Sequence, residues 1–471
     1  MIGDERPVRA TRVVSSSSRR CFVKSFAWVL AMVAGISLAL LIGPGPVVGQ
    51  ETGSSSDLTR LLAEARAENP RIAAAGEAVE AARARAEAAG ILPDPMVGLG
   101  LVNALVSDPL SSRDFMTMRM VEVGQRFPYP GKLPLEDEIA AWELASAEAE
   151  RRAVELEVVS EVKRAYYELF FLDRSGEIVD RNRALLDDFA SVTQVRYGVG
   201  TGSQQDVLKA QVEHTRLGDE LIGLSERRAA VLAELNALLD RSSTRPVEGL
   251  VLPETLVEAA IPEPGQEVRF TAIALGAVGP AGPIPGLETL QRRAEEGNPR
   301  IHVHVARIRA QEARAELAGK AALPDFDLSV GYGQRSNRED MLSVWLSVPV
   351  PVFKGRKQDA LEAGERSELL SLEASHREMV NEIRAEVAEL HASLVRTRDQ
   401  LALLRDGILP QARASLESAT AGYPVATVDF LTVIDSQATL FRHELDYHRL
   451  LTAFGTDLAT LERMVGGEVL R

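Results

Sequence analysis

The sequence predicts a mainly α, α+β fold in which very long helices are built twice over and each copy carries one pair of strands. Lys132 to Tyr197 is a 66-residue stretch with one glycine, Gly176, and no proline after Pro134. As a single helix it would be roughly 100 Å long, where an average globular helix has about 10 to 14 residues. Leu156, Val159, Val162, Tyr166 and Leu169 recur on it at three- and four-residue steps, a stripe that needs long partners. The two halves of the chain repeat one another, and short alternating segments stand at the same place in each half.

The first 49 residues set Arg6, Arg9, Arg12, Arg19, Arg20 and Lys24 against Asp4 and Glu5. An apolar run follows from Phe26 to Ile42, then Gly43-Pro44-Gly45-Pro46 and the small-residue site Val47-Val48-Gly49. This order reads as an export signal, residues 1–49, that is removed. The alternative is a transmembrane anchor; the run is near the lower limit for spanning and no basic stop-transfer cluster follows. Ser18-Arg19-Arg20-Cys21-Phe22-Val23-Lys24 resembles the twin-arginine export motif.

The net charge of −15 disfavours nucleic acid as a partner. Ala, Glu and Arg dominate while aromatics make up 5 %, a composition suited to long, closely packed helices. Cys21 is the one cysteine and precedes the apolar run, so the mature chain has no lipid-anchoring cysteine, disulfide or thiol chemistry. Beyond Ile42 no apolar run is long enough for a transmembrane helix, and entry into a membrane requires a closed β-barrel.

Asn69-Pro70-Arg71-Ile72 opens an alanine-rich helix that stops at Leu92-Pro93-Asp94, and Asn298-Pro299-Arg300-Ile301 opens another that stops at Leu323-Pro324-Asp325. Asn at the cap and Pro at the first helical position give both the same start. Phe127-Pro128 answers Val350-Pro351, Glu161-Val162 answers Glu386-Val387, and Tyr197 with Gln211 answers Tyr423 with Gln437, at offsets of 223, 225 and 226 residues. This is an internal duplication: residues 50–240 form the first repeat, 287–466 the second, 241–286 a Pro- and Gly-rich linker that no helix or strand pattern claims, and 467–471 a tail.

Each repeat reads as short helix, two strands, very long helix, tight turn and medium helix. Phe326, Leu328, Val330 and Tyr332 alternate with Asp327, Ser329, Gly331 and Gly333; Leu342, Val344, Leu346 and Val348 alternate with Ser343, Trp345 and Ser347. These have the length of tilted membrane strands. Less regularly, Val97, Leu99 and Leu101 alternate with Gly98 and Gly100, and Met116, Met118 and Met120 with Thr117 and Arg119. The helix lengths are complementary. Pro70 to Ile91 with Ser203 to Leu239 nearly matches the first long helix, and Pro299 to Leu323 with Val428 to Val465 nearly matches Arg356 to Gly422. Two stacked short helices can therefore cover each long one. Four strands cannot close a barrel, whereas three chains supplying about twelve can.

With the duplicated Asn-Pro-x-Ile and Leu-Pro-Asp motifs, Phe-Pro-Tyr-Pro-Gly-Lys at 127–132 and Tyr-x-x-Gly-x-x-x-x-x-Asp-Val-Leu-x-Ala-Gln at 197–211, the chain resembles the TolC-like outer-membrane efflux proteins over residues 57–466. The pairing of Leu-Pro-Asp-Pro at 92–95 with Phe-Pro-Tyr-Pro-Gly-Lys looks most like the heavy-metal efflux branch. The resemblance implies a homotrimer whose twelve-stranded barrel sits in outer-membrane lipid and whose coiled coils form a periplasmic α-barrel tunnel, with residues 242–286 in an equatorial belt. It implies an exit duct, not an enzyme, working with a periplasmic adaptor and an inner-membrane pump.

Two site regions follow from it. The turns around Gly198, Gly200 and Gly202 and around Pro424 and Thr427 are the expected adaptor-docking tips. In the family a tyrosine, an arginine and two aspartates beside the second turn hold the closed state. Here the tyrosine is Tyr423 and the second aspartate Asp435, but Thr432 stands at the first aspartate position and Val428 at the arginine position. Asp429, one turn earlier, and Asp206, at the first-aspartate position of the other repeat, are the candidate replacements. The expectation is a cation-preferring constriction, from three copies of Asp435, held shut less firmly than with the full set.

Catalytic and cofactor motifs fail on geometry. The histidines of His443-Glu444-Leu445-Asp446-Tyr447-His448 are five apart, about 140° around a helix, and read as a solvated face. His302 and His304 also diverge. Gly198-Val199-Gly200-Thr201-Gly202 lacks the Gly-Lys-Ser/Thr of a phosphate loop, and Ser203-Gln204-Gln205-Asp206 reads as a helix cap. The competing functional reading is a soluble periplasmic coiled-coil adaptor, which would carry an inner-membrane or lipid anchor and no duplicated hairpins; an exported hydrolase would need a convergent catalytic cluster.

Overall fold

The computed structural model describes residues 57–104, 106, 116–261, 284–336, 338–425 and 427–470. The predicted export signal lies outside them. The first repeat runs α1 (Asp57–Glu68), α2 (Pro70–Ala88), β1 (Met96–Val102), β2 (Met118–Phe127), α3 (Lys132–Gly198) and α4 (Gln204–Leu238). After α5 (Glu254–Ala260), the second runs α6 (Leu287–Gly297), α7 (Pro299–Lys320), β3 (Phe326–Arg335), β4 (Met341–Ser347), α8 (Gln358–Leu403), a π-helical turn (Leu404–Ile408), α9 (Leu409–Gly422) and α10 (Phe430–Val465).

The 67-residue α3 stands as expected. Three expectations are corrected. Each repeat begins with an extra short helix, α1 or α6. The linker is not without structure, because α5 inserts Leu256, Ala259 and Ala260 into the main apolar core. The second long helix is interrupted: Pro410 has no N–H for the carbonyl of Asp406 and its ring crowds that carbonyl, and the helix widens into the π turn just before it.

The stacking of short helices beside long ones has a specific splice. Asn69 caps α2 by accepting the N–H groups of Arg71 at 2.9 Å and Ile72 at 3.3 Å, while its side-chain amide donates to the Leu238 carbonyl at the end of α4, 2.7 Å away. Asn298 does the same in the second repeat, accepting from Arg300 N–H at 2.9 Å and donating to the Met464 carbonyl of α10 at 2.9 Å. Both asparagines are buried. Each amide satisfies an orphan donor of one helix and an orphan acceptor of the next, and aligns the two dipoles head to tail. The spliced pairs lie along α3 and along α8–α9.

The four strands form one antiparallel sheet in the order β1-β2-β3-β4. Val97, Val123, Val330 and Val344 share one cross-strand row, and Leu99, Val121, Tyr332 and Leu342 the next. The opposite face carries Gly98-Glu122-Gly331-Ser343 and the Arg126–Asp327 pair at 2.8 Å. On β2 the methionine side of the alternation belongs to this second face, since Met120 pairs with Gly333 and Met118 with Arg335. The apolar side of β2 is Val121 and Val123, which the methionine spacing concealed. The glycines make room there: a Cβ at Gly333 would lie 2.6 Å from Met118 Sδ, and one at Gly331 would meet Trp345 at 3.2 Å and Met120 Cε at 3.3 Å.

At the foot of the sheet, Asp325 of the second Leu-Pro-Asp accepts the Tyr129 N–H at 2.9 Å and Lys132 Nζ at 2.8 Å. The paired motifs are thus the clasp that joins the two hairpins where they leave the sheet.

Apolar packing falls into two clusters. One joins α1, α5, α6 and the adjoining stretches of α3, α4, α7, α8 and α10 around Tyr166, Leu394 and Phe454; the other joins α3, α4, α9 and α10 around Val179, Phe189, Tyr423, Phe430 and Phe441. Tyr166 donates to the Val251 carbonyl and accepts its N–H, pinning the linker. Its repeat equivalent is His391, which is 1 % exposed, with Nε2 unpartnered among the described residues. Burial lowers the His391 pKa.

Three measurements test this architecture. With the valine face toward lipid, a charge at Val123, Val330 or Val344 should cost about 2 to 4 kcal/mol near the membrane midplane, and one at Ser329 or Ser343 little, when insertion into vesicles is measured. Asn69→Asp keeps an acceptor for the cap but sets a carboxylate against the Leu238 carbonyl; a loss of about 1 to 3 kcal/mol is expected from denaturant unfolding in detergent, with Asn298→Asp behaving alike. His391 binds a proton less readily folded than unfolded, so its neutral form supports the fold above the ordinary histidine range of about 6.5 and that support is lost as pH falls below it. The gap in melting temperature between pH 7.5 and 5.5 should therefore shrink in His391→Leu.

Candidate functional site at the helical tips

The first tip is made by the chain reversal between α3 and α4. The Arg196 carbonyl, in the last turn of α3, accepts the N–H groups of Thr201 at 2.9 Å and Gly202 at 3.0 Å and the Thr201 hydroxyl at 3.2 Å. Gly200 takes φ +74°, and a Cβ on Gly202 would lie 3.0 Å from both Arg196 Cβ and Tyr197 N, so the turn requires glycine at both places. Gly198 is the last residue of α3. Ser203 Oγ accepts the Gln205 N–H at 3.1 Å and starts α4, without the reciprocal bond of a full capping box.

The second tip joins α9 to α10. The Gly422 carbonyl accepts the Thr427 N–H at 3.1 Å and its hydroxyl at 3.0 Å, and a Cβ on Gly422 would sit 2.7 Å from Val428 Cγ2. Pro424 lies in the turn. Asp429 caps α10, accepting the Thr432 N–H at 2.9 Å and also its hydroxyl. The Thr432 hydroxyl, then its N–H, hold the Asp429 carboxyl below the ordinary aspartate range. Thr432 at the first aspartate position is thus the partner of Asp429 rather than a vacant site.

The two tips meet through Tyr423, which is 4 % exposed and packs on Phe430 with ring centres 5.6 Å apart. Arg196 lies over its ring, the guanidinium carbon 4.5 Å from the centroid, and donates to the Tyr423 carbonyl. The Tyr423 hydroxyl has no hydrogen-bond partner among the described residues. Burial raises its pKa, the Arg196 charge works against the rise, and the Asp206 carboxylate adds to it. Of the expected site residues, then, Asp206 is felt at Tyr423 only through its charge; the arginine on the ring is Arg196, from the opposite repeat. The signal for it was one residue before Tyr197 in the repeat-equivalent tip.

Asp435 is exposed, away from this contact. It lines a groove of about 530 Å³ between α4 and α10 with Lys209, Glu213, Arg216 and Arg442. His448 departs from the solvated face expected of it, being half-buried and meeting Phe170 edge to face at 6.3 Å; His304 faces His376, ring centres 6.4 Å apart. Among the described residues no group of three His, Cys, Asp or Glu side chains is arranged to hold a metal, and no helix is long and apolar enough to cross a membrane.

Known proteins share this architecture. The cobalt-zinc-cadmium resistance protein CzcC of Cupriavidus metallidurans is 23 % identical over 437 residues, 89 % of this chain and 92 % of that protein. The pyoverdine export outer membrane protein OpmQ of Pseudomonas putida is 24 % identical over 440 residues, 88 % of this chain and 87 % of that one. In fold, the crystal structure of the outer membrane protein VceC from Vibrio cholerae superposes with a TM-score of 0.71 at 18 % identity, covering 88 % of this chain and 97 % of that one. The profile of the outer membrane efflux proteins matches residues 61–241 and 290–467, which are the two repeats. The chain belongs to the outer membrane efflux protein family and serves as an outer-membrane exit duct.

Proposed function

We propose that three copies of the chain close into one duct, with the sheets joined as a twelve-stranded barrel, the helices forming the periplasmic tunnel, and the tips receiving a periplasmic adaptor that links the duct to an inner-membrane pump. The observation that carries this is the pair of free edges. The described sheet begins with β1 and ends with β4, and a sheet with open edges cannot rest in lipid. The helices follow the same order across the chain: α2 and α4 lie on α3, while α7 and α10 lie between α3 and the α8–α9 rod. First repeat at one edge and second at the other, in both layers, is what a ring of identical copies needs.

The names of the two relatives, cobalt-zinc-cadmium resistance for one and pyoverdine export for the other, support a duct whose cargo is chosen elsewhere, by the pump. The adaptor reading rests on the tips: Gly200, Gly202 and Pro424 shape two short turns that project from the ends of long helices, and substitutions there should lower efflux without disturbing assembly. In this reading Asp435, repeated three times, faces the constriction and favours cations, with Asp206 and Asp429 contributing negative charge nearby.

Purified protein should show a three-chain mass in detergent and form pores in planar bilayers. Asp435→Asn should lower the cation preference of those pores and their block by multivalent cations. A one-chain mass would overturn the ring, and an Asp435→Asn pore with unchanged selectivity would remove Asp435 from the constriction.

A further inference from the structure

The family's closing arginine belongs to the second repeat, where this chain has Val428. We propose that Arg196, in the first repeat, is the residue that holds the tips together here, and that it acts through the face of the Tyr423 ring rather than through the tyrosine hydroxyl. The inference rests on reading the tips as the constriction of the duct.

Arg196 is tied to both turns by different parts of itself. Its backbone carbonyl is the acceptor around which the first tip folds, taking the Thr201 and Gly202 N–H groups. Its guanidinium crosses to the second tip, covers the Tyr423 ring at 4.5 Å and donates to the Tyr423 carbonyl. Separation of the two turns must break both guanidinium contacts together. Among the described residues no carboxylate forms an ion pair with Arg196, so its side chain is committed to tyrosine; a further donation, to the Thr201 carbonyl at 3.4 Å, stays within its own tip.

Phe430 packs on the same ring, centres 5.6 Å apart, and Val428 packs against the same apolar cluster. The hydroxyl is buried with no hydrogen-bond partner among the described residues, so the ring face is the part of Tyr423 that this contact uses. A valine at position 428 is consistent with this division of labour, because an arginine there would duplicate the cation on the side already occupied by apolar packing.

A cation–π contact shielded from solvent shifts an equilibrium by about twofold to thirtyfold, and with three copies closing one opening the factors multiply. Detergent-purified protein reconstituted in planar bilayers tests the assignment. Arg196→Ala and Tyr423→Leu should each raise the time-averaged conductance several-fold, Arg196→Lys should restore part of the closure, and Tyr423→Phe should open the pore less than Tyr423→Leu does. Native mass separates loss of closure from loss of assembly; if Arg196→Ala does not assemble, Tyr423→Leu removes the same contact from the other partner. An Arg196→Ala pore indistinguishable from the parent overturns the assignment while leaving the duct intact. A Tyr423→Phe pore as open as Tyr423→Leu also overturns it, because the hydroxyl would then be the holding group. A parent protein that neither assembles nor conducts counts against the duct itself, and the latch falls with it.

Discussion

Two buried asparagine amides hold the architecture to its length. No single helix in the first repeat matches α3, and its stripe would be left half covered if α2 and α4 were free to slide along it. Asn69 removes that freedom by capping one helix and terminating the other with the same amide group, and Asn298 repeats the device against Met464. Each side chain carries its donor and its acceptor on separate atoms, so one end can cap a helix while the other reaches the neighbouring carbonyl. Aspartate makes a comparable cap but, once ionised, has no donor for the far carbonyl.

From that joint the molecule extends in two directions with different chemistry. Toward the sheet, joining is electrostatic and local: Asp325 collects Lys132 and the Tyr129 N–H, and Arg126 meets Asp327 across the strands. Toward the tips, the helices are held by a second apolar cluster that is separate from the first, and one arginine joins the two turns, over the Tyr423 ring and to its carbonyl. The sheet end is thereby fastened at several points and the tip end at few. This accords with the proposal that the duct opens at its tips.

Much of this was legible in the residues. The unbroken run after Pro134 sufficed for α3, and the duplicated Asn-Pro for the helix starts, because both signals are local in sequence. The splice itself was not legible, since Asn69 and Leu238 are 169 positions apart and nothing near Asn69 announces its partner. The face of β2 was hidden because methionine is apolar by composition yet lies over Gly331 and Gly333 on the small and polar side, where its flexible thioether fills the gap. The turns were located by their glycines, but the arginine beside Tyr423 was expected at position 428 and comes instead from position 196. Only the folded chain brings the first repeat's last α3 turn to Tyr423. The short helices α1, α5 and α6 went unclaimed because 7 to 12 residues offer too few periods to stand out from their surroundings.

The π-helical turn at Leu404–Ile408 gives the arithmetic of the duplication a physical reading. Equivalent positions are 225 residues apart at Glu161 and Glu386 but 226 apart at Tyr197 and Tyr423, so the second copy has gained one residue between them. One extra residue in an uninterrupted α-helix would turn everything beyond it by about 100°. Tyr423 would then point away from the first tip. A turn closed i→i+5 takes up the surplus residue on the spot, and the helix resumes with its former face. An insertion that would otherwise have scrambled the far end of the rod is confined to five residues in its middle, and the two copies have been able to diverge in length without losing alignment.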